Sequence, residues 1–575
     1  MSKRYQSDRR ESKLKFHTHL LTAVKQTLKE GYTRKDLISD LLSGSVVALV
    51  AIPLAMALAI ASGVAPQYGL YTVIFGGAII ALLGGSRLQV SGPTAAFVVI
   101  LYPIVQKFGF SGLLISGFLA GIILIIMGYS HLGRLIQFIP YPVTTGFTSG
   151  IAVVIAVLQI KDFFGLNVKT LPESFFAKVE VLMGSISTFS FIEFGIGLVT
   201  LFLLITWPKL NKKIPAPLAA LSFVTVICVI LNKLIPGFEI ASIGSRFTSG
   251  IPQSLPEFNW PWQQVGTGSI VTPFTLESIR LLLPSAFAIA MLGAIESLLS
   301  AVVADGMAQT KHDPDGELIA LGIGNLICPF FGGIPATGAI ARTTTNIRYG
   351  AKSPFSSVFH AFFTLLTVLL FAPYISYLPM AALAALLLVV AYNMSEYKHF
   401  IHILKVAPRS DVSVLLICFT LTVVFDMVVG VTVGVGLASL LFIKRMADVT
   451  EGHSLTNNSE FSFDIPNLPS NVVIYEIEGA LFFGAAEKAA EALTHITDEV
   501  KSVVLLLQRV PVMDVTGLVA LEGAIRKLNK AEKEIYLVGL QRQPQLLVNK
   551  SLSKLKFEKV YICQNLDEAL QKLKL

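Results

Sequence analysis

Charge is scarce in this chain. Asp, Glu, Lys and Arg make up 14% of its 575 residues, against 53% apolar. With a mean hydropathy of +0.69, that balance excludes an ordinary water-soluble protein and leaves an integral membrane protein. Cysteine is nearly absent: Cys228, Cys328, Cys418 and Cys563 stand alone, with no CxxC and no histidine at ligand spacing, so they read as small core residues without a disulfide or metal role. No GxxxxGK[ST] phosphate loop occurs, so nucleotide hydrolysis does not drive the protein, and no cofactor is expected. The first forty residues lack an apolar core with a small-residue cleavage site and carry Lys3, Arg4, Arg9, Arg10, Lys13 and Lys15 instead; the N-terminus is predicted to stay cytoplasmic. The formal net charge of +8 does not indicate nucleic-acid binding, because the basic residues lie at the N-terminus and in short loops beside apolar segments, as the positive-inside rule requires.

Long uncharged runs dominate what is present. From Leu41 to Ser86 no Asp, Glu, Lys or Arg appears, enough for two crossings at about twenty residues each, joined near Gly63-Val64-Ala65-Pro66. Further apolar segments fall at 94–106, 111–128, 135–160, 189–206, 217–235, 276–304, 317–331, 337–348, 354–375, 379–394, 410–427 and 428–443. This makes about fourteen, two of them short. An even count returns the C-terminus to the side of the N-terminus. The loops then placed inside carry Arg134, then Lys209, Lys212 and Lys213, then Arg348 and Lys352, then Lys398, Lys405 and Arg409, then Lys444 and Arg445, while the stretch 236–275 outside has Arg246 alone.

Two of the segments break in matching ways. Leu82-Leu83-Gly84-Gly85 leads to Ser91-Gly92-Pro93-Thr94, and Phe330-Phe331-Gly332-Gly333 leads to Pro335-Ala336-Thr337-Gly338. A helix that starts inside the bilayer leaves its first N–H groups without intrahelical partners, so a polar or anionic ligand must answer them. Gly-Gly pairs also let helix backbones approach closely, but their matched placement, one in each half of about seven spans, marks the binding site of an inverted-repeat transporter. Before Pro93 the stretch Arg87 to Ser91 alternates like a strand. Small residues follow both breaks: Thr94, Ala95 and Ala96 in one, Thr337, Gly338 and Ala339 in the other. Two facing helix N-termini, each with roughly half a positive charge, suit an anion; these six residues are the expected anion contacts, with Pro93 in the first helical turn and the second half-helix starting at Ala336.

Arg342 lies one turn into the second half-helix in a segment otherwise free of charge. An intramembrane Arg is costly unless paired or facing water; it either adds positive field behind the anion or pairs with a carboxylate elsewhere. Glu296 is the only acidic residue between Arg280 and Asp305. A buried carboxylate has its charged form disfavoured and can take up a proton with the substrate; alternatively Glu296 is a permanent partner of Arg342 that holds the fold. Asp426 falls near a helix end where a wetted carboxylate is affordable, and His360 reads as a satisfied packing residue.

After Arg445 the hydropathy falls. A polar linker from Glu451 to Glu460 leads to strand-like Val472–Tyr475, Val503–Leu507 and Ile535–Val538, alternating with helix-like Ala485–Ile496 and Gly517–Leu528, the rhythm of a small α/β domain. The expected division is 1–40 cytoplasmic, 41–445 transmembrane, 446–465 linker and 466–575 α/β.

The runs Ile52-Pro53-Leu54-Ala55-Met56-Ala57 through Gly69-Leu70-Tyr71, Gly85-Ser86-Arg87 through Ser91-Gly92-Pro93-Thr94-Ala95-Ala96, Glu296-Ser297-Leu298-Leu299 and Ala339-Ile340-Ala341-Arg342 are similar to motifs of the SulP anion transporters, over essentially the full length. The resemblance implies a mainly α membrane protein: a seven-plus-seven inverted repeat with a mobile core domain, a gate domain and two broken half-helices, usually dimeric, followed by a cytoplasmic α/β STAS domain. It is not an enzyme family. Within the family the runs Ile52 to Tyr71, Ser91 to Pro103 and Asn393-Met394-Ser395-Glu396 most resemble proton-coupled C4-dicarboxylate transporters of bacterial inner membranes, which implies succinate, fumarate or aspartate as substrate and a proton as coupling ion. Many relatives have Gln where Leu54 stands, so one polar group is missing from the expected site wall. Sulfate or bicarbonate, with proton or sodium coupling, is the nearest rival, and a membrane-anchored STAS module docking a cytoplasmic protein is a rival of another class. Val512 to Leu518 resembles the STAS loop in which a phosphorylated Ser follows an Asp; Val515 holds that position here, and Thr516 is expected to cap the next helix.

Overall fold

The computed structural model describes residues 20–134, 139–168, 170–211, 214–235, 239–247, 250–264, 271–425, 427–449, 451–454, 469, 471–482, 499–555 and 559–573. The basic residues up to Lys15, Lys212, Lys213, Asp426, most of the polar linker and the expected helix Ala485–Ile496 lie outside them. The chain forms two compact units, Met1–Val435 and Gly436–Leu575.

In the first unit, a short helix α1 (Thr22–Glu30) precedes α2 (Arg34–Ala61). A capping box starts α2: the Thr33 hydroxyl accepts from the Asp36 N–H, and Asp36 accepts from the Thr33 N–H at 2.9 Å. Gly63, at φ +83, turns the chain through Pro66 into α3 (Pro66–Leu83). Strand β1 (Ser91–Gly92) follows, then α4 (Ala95–Tyr129), broken at Gly109 where φ is +70. Next come α5 (Tyr141–Phe163), α6 (Phe175–Gly184), α7 (Phe191–Leu210), α8 (Ala216–Leu234), α9 (Leu276–Ala308), α10 (Pro314–Ile327), β2 (Thr337–Gly338), α11 (Ile340–Arg348), α12 (Phe355–Ile375), α13 (Met380–Met394), α14 (Tyr397–Val406), α15 (Arg409–Val424) and α16 (Met427–Val449). The span expected at 135–160 starts later because Pro140 is the cap of α5 and Pro142 lies in its first turn.

Among the described residues, nine of these helices, and α13 with α14 taken as one run, are long and apolar enough to cross a membrane. Counting α4 as two arms and adding the shorter α10, α11 and α15 gives fourteen among the described residues. Their packing repeats with a shift of seven. The first span, α2, packs on the eleventh, α12; the eighth, α9, packs on α4, which holds the third and fourth. Likewise α5 packs on α15 and α13 on α7, while α5 and α13 pack on each other. Helices α2–α4 and α9–α12 therefore form one body, the core, and α5, α7, α8, α13 and α15 another, the gate. An odd number of spans per repeat inverts the second repeat against the first.

In the second unit, strands β3 (Glu451–Ser454), β4 (Val472–Glu478), β5 (Ser502–Leu506), β6 (Glu534–Val538) and β7 (Val560–Cys563) lie side by side in that order, β3 antiparallel and the rest parallel. Parallel strands covered on both faces read as unbroken apolar runs, and Ser502–Leu506 is buried throughout. Helices α17 (Val515–Lys530), α18 (Arg542–Leu555) and α19 (Leu566–Lys572) complete the described α/β unit. Asp514, not Thr516, caps α17: its Oδ1 accepts from the Gly517 N–H at 2.7 Å. The helix starts one residue after Asp514, so Thr516 already lies in its first turn.

Candidate functional site

The two chain breaks cross. Ser91 pairs with Gly338 and Gly92 with Thr337 in an antiparallel bridge, which brings the two backbones to about 5 Å of each other. Helix α4 then leaves from Ala95 and α11 from Ile340. Both starts differ from expectation. Thr94 occupies the cap position of the first half-helix and Pro93 lies before it; Thr337–Gly338 form the strand and Ala339 the cap position of the second, which starts at Ile340. The alternating stretch 87–90 is not a strand; it bends at Arg87 and Leu88 and pairs mainly with side chains: Asn346 donates to Leu88 O at 2.9 Å, Ser357 to Gln89 O at 2.7 Å, and Thr343 Oγ1 accepts from Val90 N–H at 3.0 Å.

Each expected contact has a definite use. The Thr94 side chain makes no capping bond from its cap position; its hydroxyl donates to Glu296 Oε2 at 2.7 Å instead. The N–H groups of Ala95, Ala96 and Phe97 consequently have no partner among the described residues, and the alanine side chains leave them uncovered. In the other break Thr337 is fully buried and donates to Gly293 O at 2.9 Å, tying β2 to α9. Gly338 packs where a Cβ would collide with Gln89. The N–H of Ala339 is already given to Val90 O at 2.9 Å, so the donors of this half without a partner among the described residues are those of Ile340, Ala341 and Arg342. Each half-helix thus offers the three N–H groups of its first turn to an anion.

Arg342 is 2% exposed and donates through Nη2 to Pro93 O, across to the other half-helix. Its Nε and Nη1 have no partner among the described residues. No ion pair joins Arg342 to Glu296 among the described residues, so Glu296, half-buried on α9 and bonded only to Thr94, is not a fixed counter-charge. His360 differs from the satisfied packing residue expected, for both its ring nitrogens are buried without a partner among the described residues.

Four residues not picked out in the sequence hold the breaks in place. Asn325 on α10 donates to Ala336 O at 2.9 Å and accepts from Ala336 N–H at 2.7 Å, acting as a strand of one residue beside β2. Glu317, 1% exposed, accepts from the Gly85 and Ser86 N–H groups at 3.0 Å each, from Gln89 Nε2 at 3.0 Å and from the Ser297 hydroxyl at 3.4 Å. Gln89 also donates to Ser297 Oγ at 2.7 Å. Helix α3 accommodates the crossing with a widened π turn over Thr72–Gly77, where Thr72 donates to Ile334 O at 2.9 Å and a Cβ on Gly77 would lie 2.9 Å from Ser91 O. The signal for Gln89, Ser297, Glu317 and Asn325 was their polarity within apolar surroundings; their partners are more than two hundred residues apart in several cases.

Paired half-helix starts held this rigidly suit one class of ligand, a small anion. The family model for the sulfate permease family matches residues 37–418, and that for the STAS domain matches 466–569. The chain belongs to the sulfate permease family. It is therefore an anion transporter and not an enzyme. Its similarity runs to the "Putative sulfate transporter YvdB" of Bacillus subtilis, 41% identical over 91% of this chain and 95% of that one, and to the bicarbonate transporter BicA of Picosynechococcus sp., 29% identical over 90% and 91%. Among solved structures, the inward-facing murine Slc26a9 anion transporter has the same fold, with a TM-score of 0.83 over 99% of this chain and 98% of that one at 19% identity. The transmembrane domain of a cyanobacterial BicA superposes with a TM-score of 0.58 over 71% and 98% at 26% identity.

Proposed function

We propose that this sulfate permease family member is a secondary active symporter that carries a small oxyanion together with a proton by alternating movement of the core against the gate. The observation that carries this reading is the Thr94–Glu296 hydrogen bond at 2.7 Å. It puts a carboxylate at the mouth of the half-helix whose N–H groups lack partners, with no cation bound to it. The anion binds the N–H groups of Ala95 and Ala96 and the start of α11 beside Thr337, Gly338 and Ala339, with Arg342 adding field from behind. Glu296 takes the proton, which offsets one negative charge of a dianion and lets the loaded core cross a low-dielectric barrier at lower cost. The transported anion is sulfate or bicarbonate, which the names of the relatives support. A C4-dicarboxylate is the second reading, favoured by Leu54, which puts an apolar side chain where a polar one was expected. The protein works as a homodimer in a bacterial inner membrane with both termini cytoplasmic, and its STAS domain is the docking point for a cytoplasmic partner.

Uptake of labelled sulfate, bicarbonate and succinate by proteoliposomes, each with the other two as competitors, tests the assignment. Concentrative uptake of sulfate or bicarbonate supports the first reading, and of succinate alone the second. Passive equilibration of all three without accumulation removes symport. Normal accumulation by a chain ending at Arg445 assigns transport to the membrane unit and counts against a mere anchored module.

A further inference from the structure

The segment between α13 and α15 is a separate helix. Residues Met380–Val406 are long and apolar enough for one continuous span, but Glu396 holds φ +42, a left-handed conformation that ends the helix. The chain restarts as α14, and at 100° per residue its side chains sort into three stripes, with His399 and Val406, both exposed, on the remaining face. Phe400 and Ile403 face the bundle: Ile403 is buried, and the Phe400 ring lies 5.4 Å from that of Phe419 on α15. Tyr397, Ile401 and Leu404, spaced i, i+4, i+7, are left exposed at 42%, 43% and 38%. Lys398, His402 and Lys405, spaced the same way one residue later, are exposed too, and Arg409 follows at the start of α15. The apolar stripe lies between the bundle stripe and the basic one. Glu396 is the only acid from 396 to 410.

We propose that α14 lies in the plane of the bilayer surface on the side of the basic loops, with Tyr397, Ile401 and Leu404 in the acyl region and Lys398, Lys405 and Arg409 on the phosphates of anionic phospholipids. The order of the stripes fits this one environment: protein on one flank, acyl chains below, headgroups on the other flank. An acidic soluble protein would answer the lysines but leave the three apolar side chains in water. Both neighbours of α14 are spans of the gate, so the lipid contact fixes the gate at the membrane surface. The proposal rests on membrane embedding alone and holds whichever anion is carried.

The test is native mass spectrometry of the full chain purified from bilayers of phosphatidylcholine and phosphatidylglycerol in equal amounts. The wild type is expected to retain phosphatidylglycerol several-fold over phosphatidylcholine, and K398Q/K405Q to lose most of that preference while keeping its phosphatidylcholine and its melting temperature. Equal retention by the wild type, an unchanged preference in K398Q/K405Q, or displacement of the lipid by inorganic phosphate or by an acidic peptide would overturn it. A spin label on Ile401→Cys gives an independent reading: relaxation by oxygen and not by a water-soluble nickel chelate is expected, and the reverse contradicts an in-plane helix.

Discussion

Asn325 is the sharpest point at which to test the site's construction. Replacing it with Leu leaves a side chain of similar size but removes the pair of hydrogen bonds that satisfy the N–H and C=O of fully buried Ala336. Each buried backbone group left without a partner costs about 1–3 kcal/mol, so Asn325→Leu should destabilise the core by about 2–6 kcal/mol, toward the lower end because polar groups in a membrane find other partners. Asn325→Asp keeps the acceptor for the Ala336 N–H but sets a second oxygen against Ala336 O and Leu321 O, and should do no better. All four cysteines are buried, so a thiol-reactive dye reports unfolding of the purified protein without added labels. The expected result is a lowered melting temperature together with at least a tenfold loss of apparent substrate affinity, since β2 and the start of α11 lose their support. An Asn325→Leu protein as stable as the wild type, or more so, with unchanged affinity would refute the reasoning: Asn325 would then be a polar residue that apolar packing replaces at no cost.

Other consequences follow from the same geometry. Thr94→Val removes the donor to Glu296; hydrogen bonds to charged groups are worth about 1.5–3 kcal/mol, so proton-driven uptake should fall roughly ten- to a hundredfold while Thr94→Ser retains it, as initial rates in proteoliposomes would show. Glu317→Gln weakens the clamp on Gly85 and Ser86 and should lower the melting temperature of the membrane unit, and an unaltered melting temperature would remove Glu317 from the framework. Asp514→Ala should cost about 0.5–2 kcal/mol at the start of α17 and Thr516→Ala almost nothing, read as faster amide exchange in the first turn of that helix. On α1, the Gln26 amide and then Arg87 hold the Glu30 carboxyl below the usual carboxylate range. Its contribution is therefore present above that range and lost as pH falls through the lowered value; proteolysis at α1 should speed up only in acid, and Glu30→Gln should abolish that step.

Much of this was legible in the chain because hydropathy is a local property. Fourteen segments and the two breaks follow from runs of side chains a few residues apart. Thr94 and Glu296 stood out as polar groups in apolar segments, but their bond spans two hundred residues, and only the crossing of the breaks at Ser91–Gly338 brings them together. The same limit hid Asn325, Glu317, Gln89 and Ser297, whose partners are chosen by the fold. The helix starts, expected at Pro93 and Ala336, were misjudged by two residues in the first half and four in the second, since a short strand between buried backbones has no periodicity to read. Ala339 was expected to offer its N–H, and the pairing with Val90 uses it. Leu54 and Val515 are departures from the family pattern whose effect depends on the ligand or partner rather than on local packing.

Proton movement with the anion is the central claim, and a pH-sensitive dye trapped inside proteoliposomes measures it most directly. On addition of sulfate, or of bicarbonate or succinate if that is the anion accumulated, the lumen of wild-type vesicles should acidify in step with uptake, and vesicles with Glu296→Gln should not acidify. Uptake of the anion with no acidification, or acidification by Glu296→Gln equal to that of the wild type, would contradict it.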